Sequence, residues 1–105
     1  MKYKLSKDFG KSLSRLNGKD LKLVLEVMDE VEKASTLSEI SNCKKLKSYD
    51  CVYRIRIGTR RAFFTFHIEI VDDILIFHYL VSRGQAYDKN MEDKLRKLDR
   101  SDIHI

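Results

Sequence analysis

The sequence predicts an α+β domain: an N-terminal helix hairpin packed on one face of a small twisted antiparallel sheet, with a C-terminal helix. Three observations predict it. Apolar residues recur at helical spacing through the first third of the chain. The spacing changes to alternation between Tyr53 and Ser82. It returns to helical spacing after Ala86. Residues 1–105 suit one domain, and the chain has no proline, no low-complexity linker and no internal repeat.

Lys2 to Leu5 fits a short strand. Phe9, Leu13 and Leu16 then give one buried helical stripe, which Asn17-Gly18 ends. Leu21, Val24, Leu25, Met28 and Val31 form a stronger stripe on a second helix, whose outer face carries Glu26, Asp29, Glu30 and Glu32 as a solvated surface. So short a break makes the two helices an antiparallel hairpin. Thr36 with Glu39 reads as a capping box for one more short helical turn. In Tyr53-Arg54-Ile55-Arg56-Ile57 apolar and basic residues alternate, and Gly58-Thr59 fits a tight turn. Ala62, Phe64, Phe66, Ile68 and Ile70 share the parity of the next strand that faces the core. Arg61, Phe63, Thr65, His67 and Glu69 share the other. Asp72-Asp73 is the second expected turn, and Leu75, Phe77, Tyr79 and Val81 are expected to face the core from a third strand. Met91, Leu95 and Leu98 mark a charged terminal helix over 86–98.

Composition narrows the partners without choosing one. With 43% hydrophobic and 35% charged residues and a net charge of +5, the chain reads as globular with a heavily ionised surface. That balance fits an anionic partner, and equally a basic surface that only confers solubility. No apolar run has the length of a membrane span and the N-terminus lacks an export signal, so the expected location is cytoplasmic. Cys43 and Cys51, without a CxxC pair, imply neither a disulfide framework nor a zinc site and read as ordinary thiols.

The stretch YRIRIGTRRAFFTF, Tyr53 to Phe66, holds four arginines within eight residues. Two-residue turns would pair Ile57 with Arg60, Arg56 with Arg61, Arg54 with Phe63, His67 with His78 and Thr65 with Leu80. Arg54, Arg56, Arg61, His67 and His78 would then share the sheet face that the helix hairpin leaves open. Like charges opposite one another destabilise a sheet, so Arg56 facing Arg61 calls for an anion between them. From Lys44 to Arg61 seven basic residues stand against Asp50 alone, and Glu69 is the clearest acid on that face. A guanidinium-lined groove with Phe63 in it suits phosphates and a stacked base. The residues alone leave nucleic acid and an acidic peptide both open.

Lys45-Leu46-Lys47, then Tyr53-Arg54-Ile55-Arg56-Ile57-Gly58 with Arg61, then Arg83 with Tyr87, resemble the "KLKG…YRIRIGDYR" and "HRKEIY" strings of the RelE/ParE superfamily of type II toxin–antitoxin toxins. The resemblance covers nearly the whole chain. It implies the RelE-like α+β fold and a cognate antitoxin protein as partner. For RelE-like members it implies a ribosome-associated mRNA endoribonuclease without metal or other cofactor. For ParE-like members it implies a non-catalytic inhibitor of DNA gyrase, and a degenerate toxin that only binds its antitoxin is the third alternative. Carried over residue by residue, it makes Arg61, Arg83 and Tyr87 catalytic candidates and Lys45, Lys47, Arg54 and Arg56 candidates for RNA and phosphate binding.

The chain departs from the family strings in two places. Thr59-Arg60 replaces an acidic-aromatic pair, and Ser82-Arg83-Gly84-Gln85 thins the basic ending. No histidine stands at that end, which makes His67 a candidate general base, with His78 behind it, because histidine is the usual proton carrier near neutral pH. Two histidines without a third ligand make no metal site. Tyr49 and Tyr53 read as packing residues, and His104 as part of a tail.

Overall fold

The computed structural model describes residues 1–68 and 73–103, the last three by backbone alone. Glu69, Ile70, Asp72 and His104 therefore lie outside the described residues. The order is β1 (Lys2–Leu5), α1 (Lys7–Ser14), α2 (Gly18–Lys33), a 3-10 turn (Leu37–Glu39), β2 (Cys43–Lys45), β3 (Val52–Ile57), β4 (Arg60–His67), β5 (Ile74–Ser82), α3 (Arg83–Ala86) and α4 (Lys89–Ile103). The five strands form one sheet in the order β1-β5-β4-β3-β2. β1 runs parallel to β5, and the other pairs are antiparallel.

Ser6 explains how α1 starts where it does. Its hydroxyl accepts the Phe9 N–H at 3.0 Å, an N-cap, and donates to the His78 carbonyl at 2.7 Å, which ties the helix to β5. Phe9 is thereby driven against Phe77, with ring centroids 5.4 Å apart. On α2 the buried stripe is Val24, Met28 and Val31. Leu25, expected in that stripe, is 50% exposed. The Thr36–Glu39 box is formed, with Glu39 Oε2 accepting the Thr36 N–H at 3.0 Å.

The hairpin register of β3 and β4 matches expectation: Ile57 pairs with Arg60, Arg56 with Arg61 and Arg54 with Phe63. The β4–β5 register does not. His67 pairs with Ile74 and Thr65 with Ile76, in place of His78 and Leu80. A bulge lies at Phe63/Phe64, where Phe64 faces Phe77 but Phe63 faces Tyr79, leaving His78 as the extra residue on β5. One extra residue reverses the parity of everything after it. Leu80, expected on the far face, is buried in the core with α1 and α2. Tyr79 and Val81 turn to the other side.

That other side is not open. The first core, Phe9, Val24, Met28, Val31, Ile55, Phe64 and Phe77 among others, lies between the helix hairpin and one sheet face. A second, smaller core of Tyr49, Val52, Phe63, Ala86, Met91 and Leu95 lies between the opposite face and α4. The stripe Met91, Leu95 and Leu98 thus covers the half of the sheet that had been expected to face solvent. Phe63 is 1% exposed beneath α4, so it packs in a core and presents no ring to a base.

Candidate RNA-binding site

The part of the sheet that α4 leaves uncovered is the end carrying the arginines. Arg54 and Arg56 alternate with the core residues of β3 and so share its α4-side face, half-buried and exposed respectively. Lys44 of β2 stands opposite Arg54. The end of β5 is drawn to the β3–β4 turn by the Arg83 N–H, which donates to the Thr59 carbonyl at 2.8 Å. Ser82 then caps α3, its hydroxyl accepting the Gln85 N–H at 3.3 Å. Ala86 plugs into the second core at 3% exposed, and this turns the next residue, Tyr87, outward. Tyr87 is 61% exposed, and its hydroxyl accepts from Arg54 Nη1 at 3.3 Å.

Arg61 is placed differently from the other arginines. It is 6% exposed, and its Nη1 donates to the carbonyls of Gly58 at 3.1 Å and Arg60 at 2.8 Å. Carbonyl dipoles are therefore what make Arg56 opposite Arg61 tolerable within the chain. Arg60, on the opposite parity, pairs with Asp20 of α2 at 2.9 Å. Among the described residues no carboxylate pairs with Arg54, Arg56, Arg61 or Arg83. The Nε atoms of Arg54 and Arg61 are buried without a hydrogen-bond partner. The region is therefore short of negative charge.

Tyr87 responds to this. Burial works to raise its pKa, but the hydrogen bond from Arg54 and the charges of Arg54 and Arg61 outweigh it, and the net displacement is below the ordinary tyrosine value. The result is an accessible phenol that ionises more readily than usual, beside exposed cations.

Other candidates are separated from this group. His67 lies six residues along β4 from Arg61, roughly 20 Å at about 3.3 Å per residue. It is engaged there with Thr65, whose buried hydroxyl lies 2.9 Å from Nε2 of both His67 and His78. A base at His67 is therefore out of reach of a phosphate held by the arginines. Lys45 sits opposite Tyr53, on the helix-hairpin parity, and donates to the Tyr49 carbonyl. Lys44 takes the arginine-side position instead. The alternation of Cys43-Lys44-Lys45 against β3 is the signal that would have found it. Lys47 is exposed and lines a groove of about 260 Å³ together with Tyr49, Phe63, Tyr87, Leu95 and Arg96.

That groove is held by α4. The Asp99 carboxylate accepts the Cys51 N–H at 2.9 Å, the Asp50 N–H at 3.0 Å and the Cys51 thiol at 3.3 Å. Arg96 donates to the Ser48 carbonyl at 2.7 Å and lies 4.0 Å over the Tyr49 ring. Nothing in the sequence marks these two residues among the many charges of the last helix. Burial, against the opposing charge of Arg54, pushes the Cys43 thiol up to about 11. Among the described residues no helix is long and apolar enough to cross a membrane, and no cluster of three or more histidine, cysteine or acidic side chains is arranged to hold a metal ion.

No family model matches the chain. It is, however, 32% identical over 89 residues to Toxin RelE3 of Methanocaldococcus jannaschii, across 84% of this chain and 97% of that one. The chain belongs to the RelE toxin family. Solved structures agree with the fold of this RelE-family chain. The RelB–RelE antitoxin–toxin complex from Methanococcus jannaschii matches with a TM-score of 0.64 at 26% identity, over 81% of this chain and 95% of that one. The archaeal RelE–RelB complex from Pyrococcus horikoshii OT3 matches with a TM-score of 0.62 at 25% identity, over 81% and 97%.

Proposed function

We propose that this RelE-family chain is the toxin of a type II toxin–antitoxin pair that arrests translation by cleaving mRNA on the ribosome, and that a small antitoxin neutralises it. The observation that carries the catalytic part is the contact between Arg54 and the exposed hydroxyl of Tyr87, in a region whose arginines lack carboxylate partners among the described residues. The antitoxin rests on the RelB–RelE composition of the two similar complexes.

In this reading Arg56 and Arg83, both exposed, contact the scissile phosphate, Arg54 approaches it from beside Tyr87, and Lys44 and Lys47 hold flanking phosphates. The ribose 2′-oxygen attacks phosphorus in line, the bond to the 5′-oxygen breaks, and a 2′,3′-cyclic phosphate forms. Tyr87, once deprotonated, takes the 2′-hydroxyl proton, and water protonates the leaving 5′-oxygen. The guanidinium groups offset the charge that builds on the non-bridging oxygens. The groove beside Tyr87 gives an adjoining base a surface to lie on.

The test is expression without a partner, followed by mapping of RNA 5′ ends in the presence and absence of ribosomes. Ribosome-dependent cuts within coding sequence support the reading. Intact mRNA with DNA damage would instead indicate a gyrase inhibitor, and no growth effect an inactive toxin.

A further inference from the structure

We infer that the groove beside Tyr87 is a guanine-reading pocket, in which the Glu92 carboxylate takes the Watson–Crick edge of the base. The inference rests on the RNA reading above and adds to it which base lies next to the phosphate contacts.

The groove holds about 260 Å³. Drug-sized ligands occupy about 300–1,000 Å³, so this space suits a single planar ring system. Its inner wall is apolar: Leu46, Ala86 and Leu95, the last two buried. Tyr49 and the exposed Tyr87 add aromatic surface. A phosphate gains nothing from such a wall, whereas a base does. Charge divides the two in the same way. Tyr87 touches Arg54 on the cationic side, while Asp88 and Glu92 line the groove. Carboxylates repel phosphate, so the groove is set apart for the uncharged part of a nucleotide.

Two of the polar side chains around the groove are already committed. Asp88 Oδ1 accepts the Met91 N–H at 2.8 Å at the start of α4, whose first turn carries Glu92. Arg96 donates to the Ser48 carbonyl and lies over the Tyr49 ring. Glu92 is exposed, and among the described residues its carboxylate has neither an ion pair nor a hydrogen bond. Lys47, also exposed, has no carboxylate partner among them. An ionised carboxylate only accepts, and it accepts best from two adjacent N–H groups. Guanine is the base that offers such a pair, N1–H beside N2–H, on an edge that single-stranded RNA leaves free. Its O6, next in line, is an acceptor for the Lys47 ammonium. Adenine and cytosine set one amino group beside a bare ring nitrogen, whose lone pair opposes the carboxylate. Uracil sets its one N–H between two carbonyls, with the same effect. Glu92 therefore discriminates by what it repels as well as by what it binds.

The experiment uses short oligouridine probes, blocked throughout by 2′-O-methyl groups, in which one central base is guanine, adenine, cytosine or uracil. Affinities are measured by fluorescence anisotropy for the wild-type protein and E92Q, and the methyl signals of Leu46, Ala86 and Leu95 are followed by NMR. The wild type is expected to bind the guanine probe at least about fivefold more tightly than the other three, the discrimination of one bidentate contact. The three methyl signals should shift most with that probe, and E92Q should bring the guanine-to-adenine affinity ratio within about twofold of one. Equal affinities for the four probes overturn the inference. So does a guanine preference that survives in E92Q, and so do groove methyl signals that no probe moves. If E92Q does not fold, the wild-type preference and the methyl shifts decide together. In each of these failures the RNA reading stands as long as the probes bind and R56A weakens them all alike. If no probe binds, that reading itself fails, and the guanine pocket falls with it.

Discussion

The Asp99 carboxylate accepts the backbone N–H of Cys51 at 2.9 Å, and so joins the last helix to the segment that leads into the arginine-bearing strand. The same carboxylate takes the Asp50 N–H. Asp99→Ala leaves both donors without their acceptor and is expected to cost about 2–4 kcal/mol of stability, with Asp99→Asn costing less. Chemical denaturation with a constant slope between variants checks this.

The same residue sets an acid limit. Burial works to raise the Asp99 pKa, but the N–H groups of Cys51 and Asp50, the Cys51 thiol and the Arg96 charge prevail, and its folded value lies below the usual 3.8. A lowered carboxylate pKa contributes stability that is complete above the unfolded value of about 3.9 and drains away as pH falls through the folded one. Asp99→Asn should therefore flatten the acid side of the stability profile. An equally steep acid loss in both proteins would contradict the assignment.

Arg56 and Arg83 are exposed, and among the described residues they have no carboxylate partner. Replacing either by alanine should change stability by no more than about 0.5 kcal/mol. Each replacement should reduce the slope of log affinity for single-stranded RNA against log salt by about 0.7. Binding titrations at several salt concentrations give the slope. An unchanged slope in both variants would remove these residues from the phosphate contacts.

His67 is paired with Ile74 at the far end of β4 from Arg61. His67→Asn should leave cleavage within about twofold of wild type at each pH, since a general base contributes about 10²–10⁴-fold. A rate loss in that range, with a folded protein, would return His67 to the mechanism.

The hairpins, the helix stripes and the β3–β4 register were legible because each rests on local periodicity and short turns. Tyr53, Ile55 and Ile57 alternate with arginines, and a one-residue slip would turn them away from the core. The β4–β5 register was not legible. It depends on the bulge that makes His78 the extra residue on β5, and a bulge has no signature among residues that are apolar on both parities, as Ile74 to Val81 largely are. The closing of the second face by α4 was half legible. Met91, Leu95 and Leu98 announce an apolar stripe, yet nothing local says which surface it covers. Of the site, the arginines and Tyr87 were marked by the family strings. The burial of Arg61, the wrong parity of Lys45 and the distance to His67 emerged only from the pairing of strands.

The central claim is that Tyr87, set beside Arg54, takes part in cutting RNA. The most direct measurement is single-turnover cleavage of mRNA on purified ribosomes by wild type and Tyr87→Phe, with 5′ ends mapped. Phenylalanine keeps the ring and removes only the oxygen that Arg54 contacts at 3.3 Å. Ribosome-dependent cuts by the wild-type protein are expected, with a rate about 10²-fold or more lower in the variant and RNA affinity nearly unchanged. Cleavage at the wild-type rate by Tyr87→Phe would contradict it.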